Sequence, residues 1–259
     1  MPMNPRLLRP TASGLDPDAL AWRAAVIAAG SSVDGGVVAA VSRFVKGCKS
    51  DGIWDAMKSV VLLAGADTLA GALAPLKGTA PTSYNFVSGD YSQTSGLVGN
   101  GSTKYLDSNR ANNADPQDSN HMAVWVHTAH VSGVGGYLGA DDGSAGANRI
   151  AVSIAADSII AKSRCSTGSA VAGQGAATGF VGVNRSSGTS FFVRSSGTNN
   201  ETVEASQTPS TGNVLAYQRG GGFPSYATAR LSFYSIGESL DLALLDARVS
   251  ALMTNLGVS

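Results

Sequence analysis

The sequence predicts a mainly β protein, an antiparallel two-sheet sandwich with a helical segment before it and one helix after it. Three observations lead there. From about Tyr84 onward the chain offers around ten short apolar runs, each bounded by Gly, Ser, Asn or Asp. The 32 glycines supply tight turns, and 43% hydrophobic content is ample for a core. The βαβ alternation of a parallel nucleotide-binding sheet is missing.

Taken in order, residues 1–14 ("MPMNPRLLRPTASG") are proline-broken and basic, with no apolar stretch behind them. They do not read as a signal peptide, so synthesis in the cytoplasm is expected. They read either as an extended arm, with Arg6, Leu7, Leu8 and Arg9 as its anchoring residues, or as a frayed terminus. Asp16 is a good N-cap, Pro17 fits the first helical position and Gly30 closes the helix, with Leu20, Ala24, Ile27 and Ala28 on one apolar face. A second helix places Val37, Val41, Phe44, Val45 and Cys48 at helical spacing and ends at Asp51 and Gly52. A third, short helix is expected around "IWDAMKS", then a strand at "VVLLAG" and a helical turn in "DTLAGALAPL". Residues 15–80 thus form a helical segment packed on or next to the sandwich, and 81–259 form the sandwich with its closing helix at 241–256.

The strand candidates run from "NFVSGDYS" through "KYLDS", "HMAVWVHTA", "GGYLGA", "NRIAVSIA", "SIIAKSR", "TGFVGVNR", "TSFFVRSS" and "NVLAYQR" to "ARLSFYSI". In "HMAVWVHT", Ala123, Trp125 and His127 share one face and Met122, Val124 and Val126 the other. "RSSGT" occurs at Arg185 and again at Arg194, a turn, strand, turn pattern that sends only one of Phe191 and Phe192 to the core. The last helix is capped by Asp241 and closed by Gly257, with a stripe of Leu242, Leu245, Val249, Leu252, Met253 and Leu256.

Chemistry is sparse. Net charge is zero and charged residues are 14% of the chain, which argues against a nucleic-acid partner. The longest apolar run, "SVVLLAGA", is too short to cross a bilayer, so no membrane partner is expected. Cys48 and Cys165 read as buried thiols. His121, His127 and His130 are badly spaced for one metal ion on a strand. Of the three glutamates, Glu201 and Glu204 point opposite ways on a strand and Glu238 stands apart, so no converging acid pair is visible. Neither a G-x-S-x-G elbow nor a phosphate-binding loop is present. No cofactor, no metal and no enzymatic activity are expected. Asp141-Asp142-Gly143 reads as a turn, with a calcium-site contribution as the alternative. Tyr137, Tyr217 and Tyr226 border glycine-rich stretches and are the candidate sugar platforms, with Asp141 and Asp142 as their polar partners.

The stretches "NFVSGDYSQTSGLVGNGSTKYLDSN", "NADPQDSNHMAVWV" and "ARLSFYSIGESLDLALLDARVSALMTNLG" carry a resemblance. Together with "VSRFVKGCKSDGIWDAMKSVVLLAGADTLAGALAPLKGT" upstream, they resemble phage and prophage virion proteins bearing a laminin-G-like, or concanavalin A-like, jelly roll. The resemblance implies a jelly-roll sandwich in which the glycine-rich turn at 94–103 launches a strand at Lys104, Tyr105 and Leu106. It implies a non-enzymatic structural protein on the particle surface, a head decoration or tail component, located in the virion. Its partners would be other capsid or tail proteins and further copies of itself. The alternative is a receptor-binding, lectin-like module for host surface glycans. A glycan hydrolase is the weakest reading, because the closely spaced Glu-x-Asp-x-x-Glu of hydrolytic relatives is missing.

Overall fold

A computed structural model describes residues 14–258. The anchoring residues Arg6, Leu7, Leu8 and Arg9 lie outside the described residues.

The first helix, α1 (Pro17–Ala28), starts as its sequence dictates: the Asp16 carboxylate accepts the Asp18 backbone N–H at 2.9 Å. Its buried face, however, is Ala19, Trp22 and Val26, while Leu20 and Ile27 stand 43% and 53% exposed. The helix is apolar nearly all round, so spacing alone cannot choose its inner face. Burying the large Trp22 indole removes more apolar surface from water than burying Leu20 would. Helix α2 (Gly35–Ser50) buries Val38, Val41, Phe44, Val45 and Cys48 and stops at Asp51, followed by Gly52 at φ +72°. No helix forms at "IWDAMKS": Trp54 to Ala56 make a turn, and Met57 opens strand β1 (Met57–Leu62). A short α3 (Leu69–Ala72) leads to β2 (Pro75–Lys77). Residues 15–80 therefore hold two sheet strands besides their helices.

The chain continues through β3 (Thr82–Tyr84), β4 (Tyr91–Ser92), β5 (Gly96–Val98), β6 (Tyr105–Ala111), β7 (Asn120–Thr128) and β8 (Val134–Ala140). Then come β9 (Asn148–Ser153), β10 (Ser158–Ser163), β11 (Ser169–Ala172), β12 (Gly179–Arg185), β13 (Ser190–Ser195) and β14 (Thr198–Val203). The last elements are β15 (Asn213–Ala216), β16 (Gln218–Gly220), β17 (Phe223–Tyr226), β18 (Arg230–Gly237) and α4 (Leu242–Leu256). Sheet 1 runs β14-β13-β12-β7-β18-β1-β2, with β5 on β18 and β4 on β5; sheet 2 runs β11-β10-β9-β8-β15-β6-β3, with β17 on β8 and β16 on β17. Every pairing is antiparallel except the single bridge from Tyr226 to Gly136. This is the two-sheet sandwich that the spacing of the apolar runs predicts.

Three layers result. Between the sheets lie Met122, Val124, Val126, Val181, Val183, Leu231 and Tyr234, among others. On the other face of sheet 1, Ala123, Phe180 and Phe233 pack with Trp22, Phe44, Val45, Leu245 and Val249 of the helices. The alternation along β7 thus feeds two cores. Phe191 is fully buried and Phe192 half-buried, as strand alternation requires. Cys48 and Cys165 are buried free thiols. Helix α4 begins with Asp241 accepting from Ala243 and Leu244 N–H and ends at Gly257, φ +70°, which tolerates the left-handed turn. It covers sheet 1 closely: a Cβ on Gly182 would come within 2.9 Å of Leu242.

Candidate functional site

The helices pack on the centre of the outer face of sheet 1, around Ala123, Phe180 and Phe233, whereas the outer face of sheet 2 carries a row of aromatic side chains. Antiparallel register sets Tyr84 of β3 opposite Tyr105 of β6, and Thr82 opposite Asp107. The two rings stack at 4.4 Å with planes 5° apart, and Tyr226 leans on Tyr105 at 6.2 Å. Parallel rings that face each other present their edges and hydroxyls outward, and Tyr84, on the edge strand, keeps one face open and is 40% exposed. Burial first, then the phenols of Tyr84 and Tyr226 and the Asp107 carboxylate, raise the Tyr105 pKa, so its hydroxyl stays a donor at neutral pH. Asp107 is held in place by the Asn213 side-chain amide at 3.1 Å and the Asn109 backbone N–H at 2.8 Å. The result is a row of phenols beside an oriented carboxylate and amide.

Of the residues picked out in the sequence, only Tyr226 joins this row. Tyr137 and Tyr217 are fully buried and are not platforms. The glycines around them mark close backbone approach rather than exposed turns. A Cβ on Gly136 would sit 2.0 Å from Arg219 N and one on Gly139 2.1 Å from Arg219 O, so β16 lies directly against β8. To make that crossing, Tyr217 takes φ +66° and sends its ring into the core, where its hydroxyl donates to Leu97 O at 2.5 Å. The Tyr137 hydroxyl accepts the His130 backbone N–H at 3.4 Å.

Asp141 is buried too. Its Oδ2 accepts from the Arg149 guanidinium and from Arg219 Nε at 2.8 Å, and its Oδ1 accepts Gly143 N–H at 3.1 Å. Burial alone would raise its pKa, but the Arg149 charge and these hydrogen bonds hold it below the usual carboxylate value. At 1% exposure and with two guanidinium partners, Asp141 is out of reach of a sugar and acts as a brace, unlike the partly exposed Asp107. Asp142 is exposed and accepts Ser144 N–H at 2.9 Å, a local turn contact. Arg219 in turn stacks its guanidinium 4.3 Å from the Phe223 ring.

The histidines do not meet. His121 is fully buried, with Nδ1 2.6 Å from Glu238 O and Nε2 2.8 Å from Ser235 Oγ; the carbonyl can only accept, so Nδ1 carries the proton. Among the described residues no cluster of three or more His, Cys, Asp or Glu could hold a metal ion, and no helix is long and apolar enough to cross a membrane. Tyr84 and Tyr105 were invisible as a pair because 21 positions separate them and only strand register joins them.

No family model and no curated protein matches this chain. Among solved structures it is similar to Trypanosoma rangeli sialidase in complex with 2,3-difluorosialic acid, with TM-score 0.49 and 10% identity over 79% of this chain and 34% of that one. It is also similar to the binding domain of botulinum neurotoxin serotype D, with TM-score 0.49 and 8% identity over 79% of this chain and 52% of that one. A third is the CBM40 of Ruminococcus gnavus IT-sialidase bound to α2,3-sialyllactose, with TM-score 0.38 and 8% identity over 51% and 82%. The chain spans about a third of the first and about half of the second. The likeness is one of chain path, and the ligands of those proteins belong to them.

Proposed function

We propose that this chain is a non-enzymatic recognition module on a phage-type particle, and that the tyrosine row of sheet 2 is the surface that meets a host glycan. One observation carries the binding half of this reading: the row of Tyr84, Tyr105 and Tyr226, with Asp107 and Asn213 beside it, on the sheet face that the helices leave uncovered. Sugars offer alternating C–H and hydroxyl patches, and phenols with a fixed carboxylate and amide match both. The virion setting rests on the resemblance of the strand and closing-helix segments described above.

The non-enzymatic half has its own support. The common arrangement for glycan hydrolysis sets a carboxylic acid of raised pKa beside a second carboxylate. Among the described residues every carboxyl with a clearly displaced pKa is displaced downward: Asp18, Asp51, Asp90, Asp141, Asp142 and Glu204. Glu204 accepts the Thr167 and Gly168 backbone N–H groups, and Glu238 pairs with Lys58 at 2.9 Å.

The test is a glycan-array screen of the full chain against a Tyr84→Ala/Tyr105→Ala double variant. Binding to one glycan class, weakened about tenfold or more in the variant with its unfolding midpoint little changed, is the expected result. No bound glycan, or equal binding by both proteins, would sink the reading.

A further inference from the structure

A second concavity lies on the opposite side of the molecule. It is a cleft of about 350 Å³ between the β12–β13 ladder and the turn that enters α4. Asn184 and Phe192 are register partners on those strands, so both side chains point to the same face of sheet 1. Phe192 stays half-buried there, and Leu240 and Asp241, at the entry to α4, form the facing wall.

The cleft is amphipathic in a particular way. The half-buried Phe192 ring, with Leu240 and Leu242, supplies an apolar floor. Asn184 is only 7% exposed; its Oδ1 accepts Leu240 N–H at 2.8 Å, while its Nδ2 has no acceptor among the described residues. With Oδ1 committed to Leu240 N–H, the amide is fixed in orientation and keeps its Nδ2 donor for whatever enters the cleft. Asp241 gives Oδ1 to the helix N–H groups and leaves Oδ2 over, and the Ser186 hydroxyl stands at the rim.

Charge narrows the ligand. No lysine or arginine lines the cleft. Arg194, two residues along β13 from Phe192 and on the same face, has its charge already paired, by Asp246 at 2.8 Å, and also donates to Asn199 at 3.1 Å. Glu201 is the register partner of Phe192 on β14, adding a second carboxylate beside the Phe192 end of the cleft. An anion would be repelled, and a purely apolar ligand would leave the Asn184 donor unmet. We infer that this cleft binds one ring of a neutral sugar, with the ring's C–H face on Phe192, a ring hydroxyl accepting from Asn184 Nδ2 and another donating to Asp241 Oδ2. The volume suits one pyranose rather than an extended chain. This site stands apart from the tyrosine row and does not depend on it.

The experiment is an amide-resolved NMR titration of the full chain with a panel of neutral methyl pyranosides. Saturable shifts confined to residues 184–186, 192 and 239–242 are expected with at least one member. Phe192→Ala should weaken that binding about tenfold. Asn184→Asp, which keeps an acceptor for Leu240 N–H but exchanges the Nδ2 donor for a charged carboxylate oxygen, should weaken it by about five- to tenfold, with the fold checked by the unchanged amide spectrum away from the cleft. In the Tyr84→Ala/Tyr105→Ala protein the saturable shifts at these cleft amides should persist, which separates the cleft from the tyrosine row. The inference fails if no member gives saturable shifts up to about 50 mM, well into the weak-affinity range. It also fails if either cleft variant binds unchanged, or if the tyrosine double variant is the one that loses binding.

Discussion

At the scale of single residues, burial gives chemically ordinary side chains their roles. His121 sits neutral in a dry site, and burial lowers its pKa to about 4. Its folded pKa is thus below its unfolded value of about 6.5. The unfolded chain binds the extra proton between these values, so stability is full above about pH 6.5, declines as pH falls toward 4, and levels off below. That window is worth roughly 3 kcal/mol from this one group. His127 and His130, also lowered by burial, act in the same direction. Urea unfolding at pH 7, 5.5 and 4 should show the decline, and His121→Gln should flatten most of it; an unchanged slope in the variant contradicts the assignment. Asp141 is a single carboxylate that pairs with two guanidinium groups at once. Asp141→Asn should cost about 3–5 kcal/mol in urea unfolding at pH 7, because it leaves Arg149 and Arg219 unpaired against each other. A loss below about 0.5 kcal/mol would mean that water already screens the cluster. The twin "RSSGT" pentapeptides make the same point. Arg185 is fully buried and donates to the Ser163, Ser187, Ser190 and Glu204 carbonyls, whereas Arg194 faces α4 and pairs with Asp246.

Elements differ in how much of themselves they reveal. Helix α4 has one apolar stripe and one buried face, and they coincide. Helix α1 has apolar residues on both sides, so its orientation is decided by what the neighbouring layer can accept. Trp22→Ala should therefore cost about 3–5 kcal/mol, while Ile27→Lys should change stability by no more than about 0.5 kcal/mol. Thermal unfolding of the two variants separates this arrangement from one in which Ile27 faces inward. The turn at 94–103 also does more than launch a strand. Gly96–Val98 pairs with β18 in sheet 1, and Tyr105 opens β6 in sheet 2, so the segment carries the chain across the sandwich. Between them, Asn100 Oδ1 gathers the N–H groups of Ser102, Thr103 and Lys104.

For the whole molecule, the helical layer and the sandwich share sheet 1 and cannot be separated at residue 80. Strand β1 lies between β18 and β2, and α2 and α4 are tied by Arg248 to Asp51 at 2.6 Å. If the Arg6–Arg9 arm anchors the chain to a particle, removing residues 1–14 should abolish binding to undecorated heads or to isolated tails. The unfolding midpoint should move little, because no described strand or helix begins before Pro17. Equal binding by the shortened and full chains would transfer the anchor to the described body.

The sandwich class, most strands, both cysteine states and the ends of α2 and α4 follow from local pattern, because alternation, capping and turn chemistry act over a few residues. Tyr226 was legible as a surface aromatic on the same grounds. The rest is set by contacts between distant segments. Glycines that look like turns are spaces for a crossing strand, which is why Tyr137 and Tyr217 are buried. Tyr84 and Tyr105 become neighbours, as do Asn184 and Phe192, only once strand register is chosen. Register depends on the whole sheet, since a slip of one residue would turn every side chain of a strand to the opposite face.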